Sequence, residues 1–199
     1  MLGLMQDQPL LISSLIEFAE RHNGDGEIVS RRVEGDIHRT TWGGIASRAR
    51  QVANALDGEQ LLFSDRIATL AWNGYRHLEL YYGVSGSGRV LHTINPRLHP
   101  DQIAWIANHA EDQILCFDLT FLPLVQAVHA KCPTIRKWIA LCDADKLPAD
   151  TGIPNLVSYE SWMGAQSSDY EWPTFDENSA SSMCYTSGTN GNPKGALYR

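Results

Sequence analysis

Four short apolar runs, at 66–72, 89–94, 113–117 and 136–141, recur with helix-length intervals between them, and this rhythm restricts the fold more than any other property of the chain. The first interval reads as a helix over 75–85. The second opens at Pro100, a residue suited to a first helical turn, and carries Ile103, Ile106, Ala107 and Ala110 on one face. The third is expected to be capped by Thr120 and to turn Leu122, Val125 and Val128 inward. Strands that are apolar throughout belong to sheets covered on both faces, and strands alternating with helices form βαβ units with right-handed crossovers. The expected fold class is therefore α/β, a mostly parallel sheet flanked by helices. Beyond the fourth run, 143–155 reads as a loop, 159–163 as a short helix, 166–179 as a polar connection through Pro173, and 181–186 as a last strand.

Ahead of this region, Leu11, Leu15, Phe18 and His22 repeat at helical spacing and predict a helix that buries them and stops at Asn23-Gly24. Segments 27–33 and 37–41 flank Glu34-Gly35-Asp36 and predict a hairpin. Thr41 is placed to cap a second helix, whose inward stripe is Ile45, Ala49, Val52, Ala53 and Leu56.

The net charge of −7 argues against nucleic acid as a partner, since phosphate backbones need clustered Lys and Arg; the pair Arg31-Arg32, the only adjacent basic pair early in the chain, reads as a solvated strand. None of the four cysteines sits in a C-x-x-C pair or at zinc spacing, and Cys116 and Cys184 read as buried reduced thiols. The seven histidines are scattered and read as core or surface residues rather than ligands. No stretch approaches the roughly 18 consecutive apolar residues of a transmembrane helix, and no secretory leader pattern opens the chain. A cytoplasmic protein is expected.

After the last strand come small hydroxyl residues, glycines and one lysine, ending in Pro193-Lys194-Gly195. Glycine lets backbone N–H groups approach an anion, while hydroxyls and an ammonium add donors, so the segment suits a polyphosphate. It is not a Walker A loop, because Lys194 lies between Pro193 and Gly195 and no helix is expected to start there. Local chemistry allows a second reading. Asn190-Gly191 is a strong two-residue turn signal, and 182–186 with 196–198 would be the arms of a plain hairpin.

Read as a whole, residues 185–195, YTSGTNGNPKG, resemble the phosphate-binding signature of the adenylate-forming enzymes: acyl-CoA synthetases, firefly-type luciferases and the adenylation domains of peptide synthetases. Asp65-Arg66-Ile67-Ala68, Asn95-Pro96-Arg97-Leu98, Asn108-His109-Ala110-Glu111-Asp112 and Phe117-Asp118 resemble segments of the same family, most strongly its fatty acyl-CoA and methylthiopropionate-CoA ligase branch. Asn190 departs from the threonine usual at that place. The resemblance implies the N-terminal part of the acyl-CoA synthetase fold, cut after its phosphate loop. It would comprise a helix and hairpin lead-in over 1–60, βαβ units over 61–142 and strand plus loop over 180–199, the C-terminal lid lying beyond Arg199. It implies that Thr186, Ser187, Gly188, Thr189, Gly191 and Lys194 bind the phosphates of ATP, with Thr186 also approaching Mg²⁺, and that no catalytic residue lies within the 199. The implied reaction joins a carboxylic acid, fatty in type, to coenzyme A through an acyl-adenylate, in an enzyme whose full-length form has room for a homodimer. Two alternatives stay open: an adenylation domain that loads a carrier protein, and a non-catalytic α/β module that binds a nucleotide or a partner chain.

Other residues read more plainly. Arg97 is expected to be structural after its proline turn, His92 a satisfied core histidine, and Trp72, Tyr75, Tyr81 and Tyr82 one packing cluster. Glu79, Asp101, Glu111 and Asp112 read as isolated carboxylates.

Overall fold

The computed structural model describes residues 3–5, 7–186 and 192–199. Helix α1 (Ile12–Asn23) leads to a two-stranded antiparallel hairpin, β1 (Glu27–Arg31) and β2 (Ile37–Thr41), turning through Gly35 at φ +103°. Helix α2 (Trp42–Gly58) follows at once, with Thr41 Oγ1 accepting from the Gly44 amide as its cap. Then come β3 (Arg66–Leu70), α3 (Tyr75–Gly86), β4 (Val90–Thr93), α4 (Pro100–His109), β5 (Ile114–Phe117), α5 (Leu122–Val128), β6 (Lys137–Ala140), β7 (Leu156–Ser158) and α6 (Tyr159–Gly164). The chain returns as β8 (Ser182–Thr186) and β9 (Lys194–Tyr198).

The sheet has seven strands in the order β7-β6-β5-β3-β4-β8-β9; every pairing is parallel except the antiparallel β8–β9. Helices α2, α3 and α6 cover one face, where Val52, Leu56, Leu80, Val84 and Met163 meet Ile67, Leu91, Ile114 and Ile139. Helices α4 and α5 cover the other, where Ile103, Ile106, Ala107, Val125 and Val128 meet Ala68, Leu70, Leu115, Phe117 and Trp138. Central strands buried on both sides explain why all four apolar runs lack polar alternation. Close approach of α2 and α3 depends on Gly83, where an added Cβ would lie 2.6 Å from Val52 Cγ1 and 2.8 Å from the Ala49 carbonyl. No helix among the described residues is long and apolar enough to cross a membrane.

Four expectations are corrected. Helix α1 forms, but Ile16 and Ser13 face the core, while Leu15 and Phe18 are 57% and 65% exposed and His22 faces solvent. A second stripe, Ile12-Ile16-Ala19, competes along the same helix, and Ile16 packs with Ile45, Ala46 and Tyr75. Thr120 caps nothing: it lies in a 3₁₀ turn, Leu119–Phe121, that enters α5 without a side-chain cap. The loop read over 143–155 ends in the unforeseen strand β7, three residues paired with β6. Cys116 is buried as expected and Cys184 is only half-buried; all four thiols are free.

Candidate functional site

Thr186 and Lys194 close the β8–β9 ladder as its last cross-strand pair. Opposed residues on paired strands project to one face about 5 Å apart, and neighbours along each strand project to the other. The Thr186 and Lys194 side chains therefore leave the ladder on one face, both exposed, opposite that of Tyr185. This pair sits where β8 ends, at the C-terminal edge of the parallel strands, the edge at which open α/β sheets bind ligands. The two arms of the hairpin reading thus exist as strands. Ser187, Gly188, Thr189 and Gly191, with Asn190, lie outside the described residues.

Behind the pair, Tyr185 points toward α4. Its hydroxyl lies 2.6 Å from His109 Nδ1, its ring meets Trp105 edge-on at 6.3 Å, and the His92 ring is 5.2 Å away. On its far side β9 passes so close that a Cβ on Gly195 would be 3.1 Å from Tyr185 Cζ. His92, fully buried, donates from Nδ1 to both Asp112 carboxylate oxygens at 3.0 and 2.9 Å. Its Nε2 has no partner among the described residues, so His92 is only half satisfied. Burial pushes the Asp112 carboxyl up against the opposing pull of His92. Sequence reading passed over this pair because twenty residues separate its members and only the sheet order brings them together.

Elsewhere on the C-terminal edge, Arg97 is exposed; its amide donates to Asn95 Oδ1, and its guanidinium makes no ion pair among the described residues. The proline turn accounts for its backbone alone. Trp72 meets Phe121 and Tyr81 meets His77, while Tyr75, stacked on His38, shares an apolar cluster with Tyr82, so the expected single aromatic cluster is split three ways.

Asp118, after β5, accepts the Trp72 amide at 2.6 Å, and burial raises its pKa from 3.8 to about 6. A raised carboxyl favours the folded state while protonated, so its contribution is full below pH 3.8 and is lost as pH climbs through about 6. Between those values Asp118 is expected to remove about 3 kcal/mol of stability. Urea unfolding at both ends of the window should show Asp118→Asn losing less than the parent by that amount; parallel curves would refute it.

The carboxylates read as isolated are not. Glu79, fully buried, accepts from Arg48 Nε at 2.6 Å and from the Tyr159 hydroxyl at 2.9 Å. Arg48 continues to Glu160, which Arg76 reaches from the other side while also holding Glu34 and Asp143; Arg32 joins Asp143 as well. Arg32 therefore anchors the hairpin instead of being solvated. Asp101 pairs with Lys131 and Glu111 with Arg66. Among the described residues no cluster of three metal-ligating side chains exists. A cleft of about 660 Å³ between α1 and segment 169–174 lies away from Thr186 and Lys194.

Comparison with known proteins adds the following. The family described as AMP-binding enzyme matches residues 15–199. A 3-methylmercaptopropionyl-CoA ligase of Ruegeria lacuscaerulensis is 52% identical over 198 residues, covering 100% of this chain and 36% of that protein. A medium-chain-fatty-acid–CoA ligase of Ectopseudomonas oleovorans is 47% identical over the same coverage of both. The chain thus spans 36% of the length of these relatives. In fold, an anthranilate CoA ligase, AuaEII, solved with anthranoyl-AMP, superposes with a TM-score of 0.83 at 20% identity, over 96% of this chain and 35% of that one.

Proposed function

Because the chain belongs to the AMP-binding enzyme family, we propose that its intact form is an ATP-dependent acyl-CoA synthetase acting on a fatty or sulfur-containing aliphatic acid. The observation that carries this reading is the 185–195 segment leaving the C-terminal end of β8 with Thr186 and Lys194 paired across its base. The names of the relatives support the thioester product and the acid class.

In the proposed reaction a carboxylate oxygen bonds to the α-phosphorus of ATP as the α–β anhydride bond breaks, giving acyl-adenylate and pyrophosphate. The sulfur of coenzyme A then bonds to the acyl carbon and AMP leaves. Both steps place charge on phosphate oxygens, which fixed donors stabilise. Lys194 supplies a positive charge and Thr186 a hydroxyl; Ser187, Gly188, Thr189 and Gly191 are assigned the remaining hydroxyl and amide contacts. One exposed hydroxyl, with no carboxylate cluster among the described residues, fits Mg²⁺ that arrives on the phosphates and keeps its waters, not a protein cage. Thr186 would hold it, and it would neutralise phosphate charge when bound. Domain roles follow the same reading: 1–60 leads in, 61–142 builds the sheet, and 180–199 carries strand and loop.

A chimera tests the proposal. These 199 residues replace the matching segment of the Ruegeria lacuscaerulensis ligase, and thioester formation is followed with ATP, Mg²⁺, coenzyme A and a panel of acids. The chimera is expected to turn over, whereas the 199-residue chain alone releases no pyrophosphate, since a third of the enzyme does not exclude water from the reacting groups. A folded chimera without ATP–pyrophosphate exchange on any acid the parent ligase accepts would refute the assignment.

A further inference from the structure

The construction behind Tyr185 is costly for a purely structural one. Burying polar groups costs free energy unless each is hydrogen-bonded, and His92 leaves Nε2 without a partner among the described residues. What such a construction does supply is a fixed position. The His92–Asp112 pair ties β4 to the turn after α4, where the Asp112 amide also donates to the Ala107 carbonyl. The same helix carries His109, stacked on Trp105 at 4.6 Å, and His109 meets the Tyr185 hydroxyl. Over the 2.6 Å between them the Tyr185 O–H is placed to donate to His109 Nδ1. With Gly195 laid against its ring, Tyr185 is held from α4 on one side and β9 on the other.

We propose that His92, Asp112 and His109 are positioning residues that act through Tyr185. They fix β8 and β9 where the 187–191 segment emerges, and so set the Thr186–Lys194 pair for a polyphosphate. This rests on the phosphate-loop reading. None of the three touches the phosphate. Their effect is on how far the two strand ends wander before the anion arrives, a cost that preorganisation removes.

The test titrates inorganic pyrophosphate with Mg²⁺ into the 199-residue chain by calorimetry, beside thermal melts. Tyr185→Phe keeps the ring and loses only the hydroxyl; His109→Phe keeps the stack on Trp105 and loses the acceptor. Both are expected to weaken binding about tenfold while melting within roughly 3 °C of the parent. His109→Asn, whose amide oxygen takes the place of Nδ1, should restore most of the affinity, and Asp112→Asn should bind better than Asp112→Ala. A role in packing alone would not give rescue by the smaller asparagine side chain. If Tyr185→Phe and His109→Phe bind like the parent while Lys194→Ala does not, the positioning role is wrong and the phosphate loop stands. If the parent itself fails to bind pyrophosphate, the phosphate-loop reading falls and takes this inference with it.

Discussion

Replacing Lys194 by alanine in the active chimera is expected to slow adenylation about a hundredfold, the usual effect of removing one fixed donor from a developing oxyanion. Thr186→Val should act through the same phosphates and reach a similar size. The two residues are cross-strand partners on one exposed face, so neither substitution disturbs the core. ATP–pyrophosphate exchange measures the step directly, without the thioester half-reaction. Because both donors bear on one anion, the double variant should lose less than the product of the single losses. Asn190→Thr should be close to neutral, as either side chain offers a donor. Rates within roughly threefold of the parent for both single variants would remove the phosphate assignment, since no fixed donor is that weak in such a site.

Arg76→Ala is expected to have the largest effect on stability. This side chain, 6% exposed, reaches Glu34, Asp143, Glu160 and the Leu141 carbonyl. Truncation leaves the buried Glu34 without its cation, while Asp143 keeps Arg32 and Glu160 keeps Arg48, and breaking a buried pair from one side costs about 3–5 kcal/mol. For a chain of this size the melting temperature should fall by roughly 10 °C. Arg76→Lys should recover little, because one ammonium cannot meet separate acceptors with the geometry of a guanidinium fork. Urea unfolding that shows a loss below about 1 kcal/mol would mean that the network is solvated and weak.

The order of layers was legible in the residues themselves. All four apolar runs became β3, β4, β5 and β6, because strands buried on both faces leave no room for polar alternation. The cap at Thr41 and the helix start at Pro100 were legible from local chemistry, whereas the capping of α4 by His99 was not. The face of α1 was not, since apolar residues line two stripes and only the placement of α2 and α3 selects Ile16 over Leu15. Strand β7 escaped notice because three residues carry no period. At the candidate site, the strand that carries Tyr185 and Thr186 was locally readable. The contacts behind it were not: Tyr185 and His109 are 76 positions apart, and they meet only because β8 returns to lie beside β4.

The Arg76 network also bears on time. Its three carboxylate partners lie 42, 67 and 84 residues away along the chain, in the hairpin turn, after β6 and in α6. No local segment assembles it; it closes only after these pieces have been delivered by the sheet. Contacts that close after the barrier leave folding rates unchanged and slow unfolding, so Arg76→Ala is expected to speed unfolding more than it slows folding. Folding speed is thus left to the long-range parallel pairing of the strands. The network instead lengthens the life of each folded molecule, as a latch that does nothing to shut a door and much to keep it shut.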